Sequence, residues 1–454
     1  MTTTDAAAPT TRTTSDPIDE LRDWLRDNWD PDLSVAQWWE LLGVAGWSNP
    51  ILPVGVYGRG LSRGDVVRAG RAIAEHGALG PPAGLGLNLA APTIATHGTP
   101  AQIERYVRDI VTGQKAWCQL FSEPGAGSDL AGLATRAERD GDVWMVNGQK
   151  VWTSGGHLAG LGMLIARTNP TAPKHQGITW FACDMHQPGV EVRPLKEMTG
   201  ATMFSEVFLT DAVVGDDARI GDAHDGWSVA NTTLAFERSG MGAGGDRGRL
   251  GARPGTVAGD LDKRAGDFVR PRRKPATSGT PGGQAAGGAA TPSGERRSPA
   301  AGLVSLAREL GRLDDPTVRD DLVRSHILSE VQRYNTERHK AVRAAGGDIP
   351  GLANFSKLLM ADILRHNRDL SARILGARAT LHAYPGEDAS SLADAPGGRA
   401  AAAWTTQILG AQALPIYGGT DQIQRNIVAE RALGLPKEPG DLARVPFNEL
   451  PKNG

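Results

Sequence analysis

The sequence predicts an α+β chain in three successive parts: helical, then β, then helical again. Three observations carry that reading. Apolar residues recur at helical spacing as far as about residue 115. Near Trp117 the period shortens to the two-residue alternation of strands, which lasts to about residue 220. From Gly226 the helical period returns and holds to about Gly434. A chain of 454 residues is long enough for roughly three domains with cores of their own.

Residues 1–15 are polar, without apolar pattern, and read as a disordered tail. The N-terminal helical domain, 16–115, opens on SDPIDELRDWLRDNW, where Asp16 stands at the N-cap and Pro17 at the first helical position. VAQWWELLGVAGW, DVVRAGRAIAEHG and TPAQIERYVRDIVTG continue the helical pattern. The β domain, 116–225, contains VWMVNGQKVW, whose Asn147-Gly148 between two alternating runs predicts a tight hairpin turn. GITWFACDM, VEVRPL and SEVFLTDAVVG predict further strands. The C-terminal helical domain, 226–437, is interrupted at 245–300 by a stretch rich in Gly, Pro, Ala and Arg. That stretch buries too little to offset the entropy of ordering, so it reads as a flexible, solvated insertion. Residues 438–454 read as a C-terminal tail.

Composition excludes several classes. Lys and Arg number 49 against 51 Asp and Glu, so no excess charge draws the chain to nucleic acid or to an acidic membrane surface. Two cysteines, Cys118 and Cys183, are too few for a disulfide framework or a thiolate metal site. The N-terminus lacks the apolar core of a signal peptide, and GALGPPAGLGLNLAAPTIA is broken by Pro81, Pro82 and Pro92. A cytoplasmic protein is expected. GMGAGG at 240–245 imitates part of a dinucleotide fingerprint, but it follows a helix rather than a strand. No Gly-x-Ser-x-Gly elbow occurs and the histidines lack metal-ligand spacing, so no metal is expected.

The stretch richest in chemistry is WCQLFSEPGAGSDLAGLATRAERDGDVWMVNGQKVWTSGG, 117–156. EPGAGSD is a turn of small residues that lets backbone N–H groups approach a ligand closely, with the hydroxyls of Ser122 and Ser128 beside it. By itself it reads more readily as an ordinary polar connection between helical and β domains. With HGTPAQIERYVRDIVTG upstream and YGGTDQIQRN downstream, however, it closely resembles the acyl-CoA dehydrogenases. In that family Ser/Thr-Glu-Pro-x-x-Gly-Ser-Asp is followed by Asn-Gly-x-Lys-x-Trp. The resemblance covers most of 17–244 and 301–437.

The resemblance implies a central β-barrel or sandwich, a C-terminal four-helix bundle and FAD as cofactor. It further implies an acyl-CoA substrate, electron-transferring flavoprotein or a similar acceptor, and a homo- or hetero-oligomer. Carried over residue by residue, Gln119, Leu120, Phe121, Ser122, Gly127 and Ser128 line the isoalloxazine ring, with Ser122 donating near the flavin edge. Trp152, Thr153 and Ser154 cover the other side of the ring. Thr420, Asp421 and Gln422 open a helix near the cofactor, where a helix N-terminus favours electron-rich groups. Ser128 also lies beside the pantetheine, and Arg238 and Gly419 lie along the substrate path.

The family chemistry removes an α-proton while the β-hydrogen leaves as hydride. It needs a carboxylate at the α-carbon and donors on the thioester oxygen. Many members carry that carboxylate in a C-terminal Tyr-Glu-Gly-Thr corner, where this chain has Tyr417-Gly418-Gly419-Thr420. In NTTLAFERSGMGAGG, Ala230, Leu234, Glu237 and Met241 fall on one helical stripe. A carboxylate there either escapes to solvent or another helix, or is a base whose pKa burial raises. Isovaleryl-CoA and long-chain members place their base at this position as Glu-Arg, so the resemblance assigns the role to Glu237, followed by Arg238. Gly418 then offers its amide N–H to the thioester oxygen and leaves room for a branched or bulky chain, a steroid-derived one included.

The chain also departs from the family. Ala235 stands where Asp is common, and the Arg-x-x-Phe-Gly element for the FAD pyrophosphate is not recognisable. The Gln-x-Phe-Gly-Gly element is reduced to QILGAQALP. Two further readings therefore stay open: a catalytically silent partner subunit, and a flavin oxidase or monooxygenase on the same fold.

Overall fold

The structure, a computed structural model, describes residues 16–242, 252–255, 259–269, 299–382, 384, 398–437 and 441–451. The expected tail at 1–15 lies outside them. The described residues fall into two compact units, one of 16–116 with 252–269, the other of 117–242 with the residues from 299 onward.

The first unit is helical. Asp16 caps Pro17–Asn28 by accepting from the Ile18 N–H, as the Asp-Pro signal predicts. Ser34 and Gln37 form a reciprocal capping box at the start of Val35–Val44. Arg63–His76 ends at Gly77, which takes a left-handed conformation. The core gathers Leu21, Leu25, Trp38, Trp39 and Ile73. The buried indoles of Trp38 and Trp39 are satisfied by the carbonyls of Leu79 and Gly80, at 2.7 and 2.9 Å.

Part of the expected flexible insertion belongs to this core, which corrects that expectation for 252–255 and 259–269. Ala252 and Ala265 are buried, and Leu261 and Phe268 pack against them. The carbonyls of Lys263 and Leu261 accept from the N–H groups of Val35 and Ala36, at 2.8 and 2.9 Å. Two helix-start donors that have no intrahelical acceptor are thereby satisfied. Composition missed this because backbone pairing and two alanine methyls leave no periodic signature. The remaining residues of 245–300 lie outside the described residues.

The second unit contains a mixed eight-stranded sheet: β1 (Trp117–Leu120), β2 (Arg136–Asp140), β3 (Val143–Ser154), β4 (Leu161–Arg167), β5 (Ile178–Asp184), β6 (Val190–Leu195), β7 (Phe204–Gly215) and β8 (Arg219–Ile220). Its order is β6-β7-β3-β2-β4-β5-β8, with β1 parallel to β4. The expected hairpin turn at Asn147-Gly148 is not formed. β3 runs through it as one strand with a register shift between Val146 and Gly148. Asn147 instead exchanges hydrogen bonds with Asp211 on β7, at 2.9 and 3.0 Å. Gly148 is small because the residue leading into β2 approaches: a Cβ there would meet the Thr135 hydroxyl and come within 2.7 Å of its Cα.

The helix Gly226–Gly242 follows the sheet, and Pro299–Glu309, Pro316–Ala344, Leu352–Leu375 and Gly398–Gly410 pack into a helical group around Leu303, Val318, Leu370 and Ile374. The expected C-terminal tail is also corrected in part. Phe447 and Asn448 donate their N–H groups to the Ala172 and Pro170 carbonyls, both at 3.0 Å, and the Arg167 guanidinium lies 3.9 Å from the Phe447 ring centroid. Two backbone hydrogen bonds and one aromatic ring over a buried cation thus hold a segment of short 3-10 turns.

Candidate active site

The end of β1 and the end of β3 are joined where the Ser122 carbonyl accepts from the Val151 N–H at 2.9 Å. Beyond Ser122 the chain closes a turn in which Glu123 and Ala126 exchange backbone hydrogen bonds. Leu120 and Phe121 point inward, at 0% and 3% exposure, so the cradle can use only their backbone. A Cβ at Gly127 would meet nothing within 4 Å, which leaves open space beside the turn. Ser128 is exposed there.

On β3, strand alternation separates the three expected ring contacts. Trp152 and Ser154 lie on the exposed face, whereas Thr153 is buried on the other, leaving it only a backbone role. Trp152 is 61% exposed, holds a left-handed φ of 59° and meets Phe204 edge to face at 5.8 Å. A bulky residue in that conformation is strained and marks a site whose surroundings fix it. An open face of small residues beside an exposed aromatic suits a large planar group, and the isoalloxazine of FAD is one.

Beneath the cradle lies a set of ions that sequence reasoning did not single out. Lys150 is fully buried, with Nζ 2.8 Å from Glu123 Oε1 and 3.1 Å from the Phe121 carbonyl oxygen. Glu123 also accepts from the N–H groups of Ala134 and Thr135, at 2.6 and 3.0 Å. Burial alone would raise the Glu123 pKa, but the Lys150 charge and these donors hold it below the usual carboxylate range. Burial draws Lys150 down, and brings Arg167 to about 10. The signal was present in the quoted motifs, since Glu123 and Lys150 are the charged members of Ser-Glu-Pro and Asn-Gly-x-Lys-x-Trp.

Glu237 stands on Gly226–Gly242, half-buried, and its Oε2 accepts from Gln119 Nε2 at 3.4 Å. The cradle strand and the candidate base therefore meet. Along the same helix, Ser228, Asn231, Thr232 and Ala235 line an open cleft of about 650 Å³ together with His175, Gln176, Asp225 and Trp227. Arg238 continues that face three residues beyond Ala235. Arg238 is exposed as a residue, yet the protein packed around its guanidinium partly desolvates it and draws its pKa down, with Glu237 opposing and Arg431 adding to the fall.

The C-terminal corner is held by Leu352–Leu375, on which Gly226–Gly242 also packs. Gly418 and Gly419 are both left-handed, with φ of 64° and 83°. Gln424 Nε2 donates to the Gly418 carbonyl at 2.8 Å, and Asn354 Nδ2 donates to Gln424 Oε1 at 2.5 Å. Thr420 caps Asp421–Ile427 by accepting from the Ile423 N–H. Asp421, 4% exposed, is committed to Lys357 and Arg365 at 3.0 and 2.7 Å. Its pKa is lowered because those two partners outweigh the burial that would raise it. Its carboxylate fastens the corner, while Gln422 beside it is exposed.

Comparison with known proteins places three family profiles on the chain: "Acyl-CoA dehydrogenase, N-terminal domain" on 12–114, "middle domain" on 118–212 and "C-terminal domain" on 301–433. The chain is 32% identical over 437 residues to acyl-CoA dehydrogenase IpdE1 of Mycobacterium tuberculosis, covering 92% of this chain and 97% of that one. It is 35% identical over 381 residues to acyl-CoA dehydrogenase FadE34 of the same organism, covering 84% of this chain but only 44% of FadE34. Its backbone matches a chain in the crystal structure of the ChsE4-ChsE5 complex from M. tuberculosis, with a TM-score of 0.60 and 25% identity, over 94% of this chain and 100% of that one.

Proposed function

Because the chain belongs to the acyl-CoA dehydrogenase family, we propose that it is an FAD-dependent oxidoreductase that converts an acyl-CoA thioester to its trans-2-enoyl-CoA. FAD, when bound, supplies a two-electron acceptor that takes the β-hydrogen as hydride, with negative charge spread over the pyrimidine half of its ring. Gln119, the backbone of 120–122, Gly127 and Ser128 form one wall of its site. Trp152, Ser154 and the Thr153 backbone form the other. Thr420 and Gln422 approach at the helix start, and Asp421 acts there only by fastening the helix.

Glu237 takes the α-proton. The Gly418 N–H faces the thioester oxygen, and the Asn354–Gln424 relay and the Gly419 turn fix that loop. The thioester arm enters by the cleft that Ser228, Asn231, Thr232 and Ala235 line, and its path continues past Ser128, Arg238 and Gly419. The missing side chain at Gly418 favours a branched or bulky acyl group, steroid-derived chains included. The observation that carries the proposal is the Gln119–Glu237 contact, which joins the cradle to a carboxylate.

An electron-transferring flavoprotein or similar carrier reoxidises the enzyme in this reading, and the working particle is an oligomer. ChsE4-ChsE5, whose backbone this chain matches, is a complex, which supports a partner chain here. A silent-subunit reading has Glu237 against it, since such a chain has no use for a carboxylate at the cradle. The test is anaerobic: purified protein is loaded with FAD and mixed with straight, branched and steroid-derived acyl-CoAs. Bleaching of the flavin, strongest with bulky chains, is expected. A correctly assembled protein that takes up no flavin, or whose flavin no acyl-CoA bleaches, refutes the proposal.

A further inference from the structure

Glu123, Lys150 and Arg167 are buried ions to which the reaction assigns no task. A buried ion pair is a poor source of stability, because desolvation of both charges consumes most of the attraction between them. If fastening the turn were the whole purpose, an apolar pair of similar volume would serve as well. The geometry of Lys150 indicates more. Its ammonium contacts the Phe121 carbonyl as well as Glu123.

The Phe121–Ser122 peptide is planar and trans, so the Ser122 N–H points to the side opposite that carbonyl. A cation on the oxygen withdraws electron density from the amide and strengthens its N–H as a donor, and low local polarity magnifies the effect. The countercharge on Glu123 is shared with the N–H groups of Ala134 and Thr135. Arg167, whose Nη2 donates to the Ala131 carbonyl at 2.6 Å, adds a second cation to the set. Asp129 also acts on Arg167 and is itself paired with Lys174, so the set holds three cations, Lys150, Arg167 and Lys174, against two anions, Glu123 and Asp129, and is net positive.

We propose that Lys150 is a positioning and tuning residue: through the Phe121–Ser122 peptide it directs and strengthens a donor toward the flavin edge, stabilising the charge that the ring takes up on reduction. The inference rests on the FAD reading above. Lys150 exchanges no atoms. The substrate gives its α-proton to Glu237 and its β-hydrogen, as hydride, to the ring, while the ammonium keeps its proton throughout.

The test compares wild type with Lys150→Met and with the double variant Glu123→Gln/Lys150→Met. The double variant removes the Glu123–Lys150 pair as a unit, so neither member is left buried without the other, and Arg167 keeps its bonds to the Lys174 and Ala131 carbonyls; it keeps the fold if the single variant does not. Unfolding curves verify folding, titration of apo-protein gives affinity for oxidised FAD, and dye equilibration gives the midpoint potential of the bound flavin. The expected result is about a tenfold greater loss of affinity for reduced than for oxidised FAD, equivalent to a potential about 30 mV lower for two electrons. Equal weakening of both forms, with the potential unchanged, would mean a purely structural ion pair and overturns the inference while leaving the FAD reading intact. Wild type that binds no FAD fails the functional reading first, and this inference with it.

Discussion

Replacing Glu237 by Gln keeps the size of the side chain and removes one ionisable group from the candidate site, together with its charge interaction with Arg238. The Gln119 amide that donates to Glu237 does so at 3.4 Å, a long contact, and a glutamine oxygen can accept it as a carboxylate does. Stability should therefore shift by less than about 1 kcal/mol. The cost to turnover is far larger. The neighbouring carboxylates cannot substitute, since Glu123 is engaged by Lys150 and two amides, and Asp421 by Lys357 and Arg365. Loss of a positioned base costs about 10²- to 10⁴-fold, or roughly 3–5 kcal/mol of barrier. Anaerobic stopped-flow mixing of flavin-loaded Glu237→Gln with acyl-CoA should show binding with bleaching slowed by at least that factor. Adding Gly418→Glu restores a carboxylate at the family's other position, but at a φ of 64° where a side chain costs about 1–2 kcal/mol. Rescue should be partial and favour straight chains. Bleaching at the wild-type rate in Glu237→Gln would refute the assignment. Rescue that still favours bulky chains would refute the role of Gly418 in making room.

Other perturbations separate packing from chemistry. Replacing 259–269 by an equal length of Gly and Ser removes the Ala265 methyl, the partly buried Leu261 and Phe268 and the ties of Asp260. A loss of about 3 kcal/mol in denaturant unfolding is expected, and a change under about 0.5 kcal/mol would show that the segment is not part of the core. Asp421→Asn should cost about 2 kcal/mol at neutral pH. Because the folded-state pKa of Asp421 is depressed, the stability it confers is present above its unfolded value of about 3.9 and is lost as pH falls through the folded value. The gap between variant and wild type should accordingly close on acidification, and a gap that persisted in acid would exclude the ion pairs as its cause. Gly148→Ala drives a Cβ into Thr135, so a melting-temperature loss equivalent to about 1–3 kcal/mol is expected. A neutral result would mean that β2 yields easily.

The elements legible in the sequence were those with local signals. Asp16-Pro17 starts a helix because its cap and its proline act within one turn. Ile178–Asp184 shows as an apolar run because it is almost wholly buried, whereas the equally buried Leu161–Arg167 was not singled out. Asn147-Gly148 misled because the same dipeptide serves a hairpin turn and a bulge, and only the approach of Thr135, distant in sequence, decides between them. At the site, Glu237 showed as a charge on an apolar stripe, and the structure adds its contact with Gln119. The inward turn of Thr153 could not be read from alternation, since counting on from buried Trp144, Val146 and Lys150 places it outward; the register shift between Lys150 and Thr153, with Trp152 left-handed, turns it in. Nor could the commitment of Asp421 to Lys357 and Arg365, because those partners lie 64 and 56 residues away on another helix.

The segment that caps the helix at Val35 lies far along the chain: Arg264 donates to Asp32 across 232 positions. During synthesis the first helices leave the ribosome well before the residues that complete them, and the whole β sheet is made in between. At about 5–20 residues per second, that interval is on the order of ten seconds or more. Through it the amides of Val35 and Ala36 and the apolar surface that receives Ala265 lack their native cover, a long-range closure that slows folding and exposes the nascent chain to aggregation. A fragment ending near residue 116 would retain that vulnerability permanently.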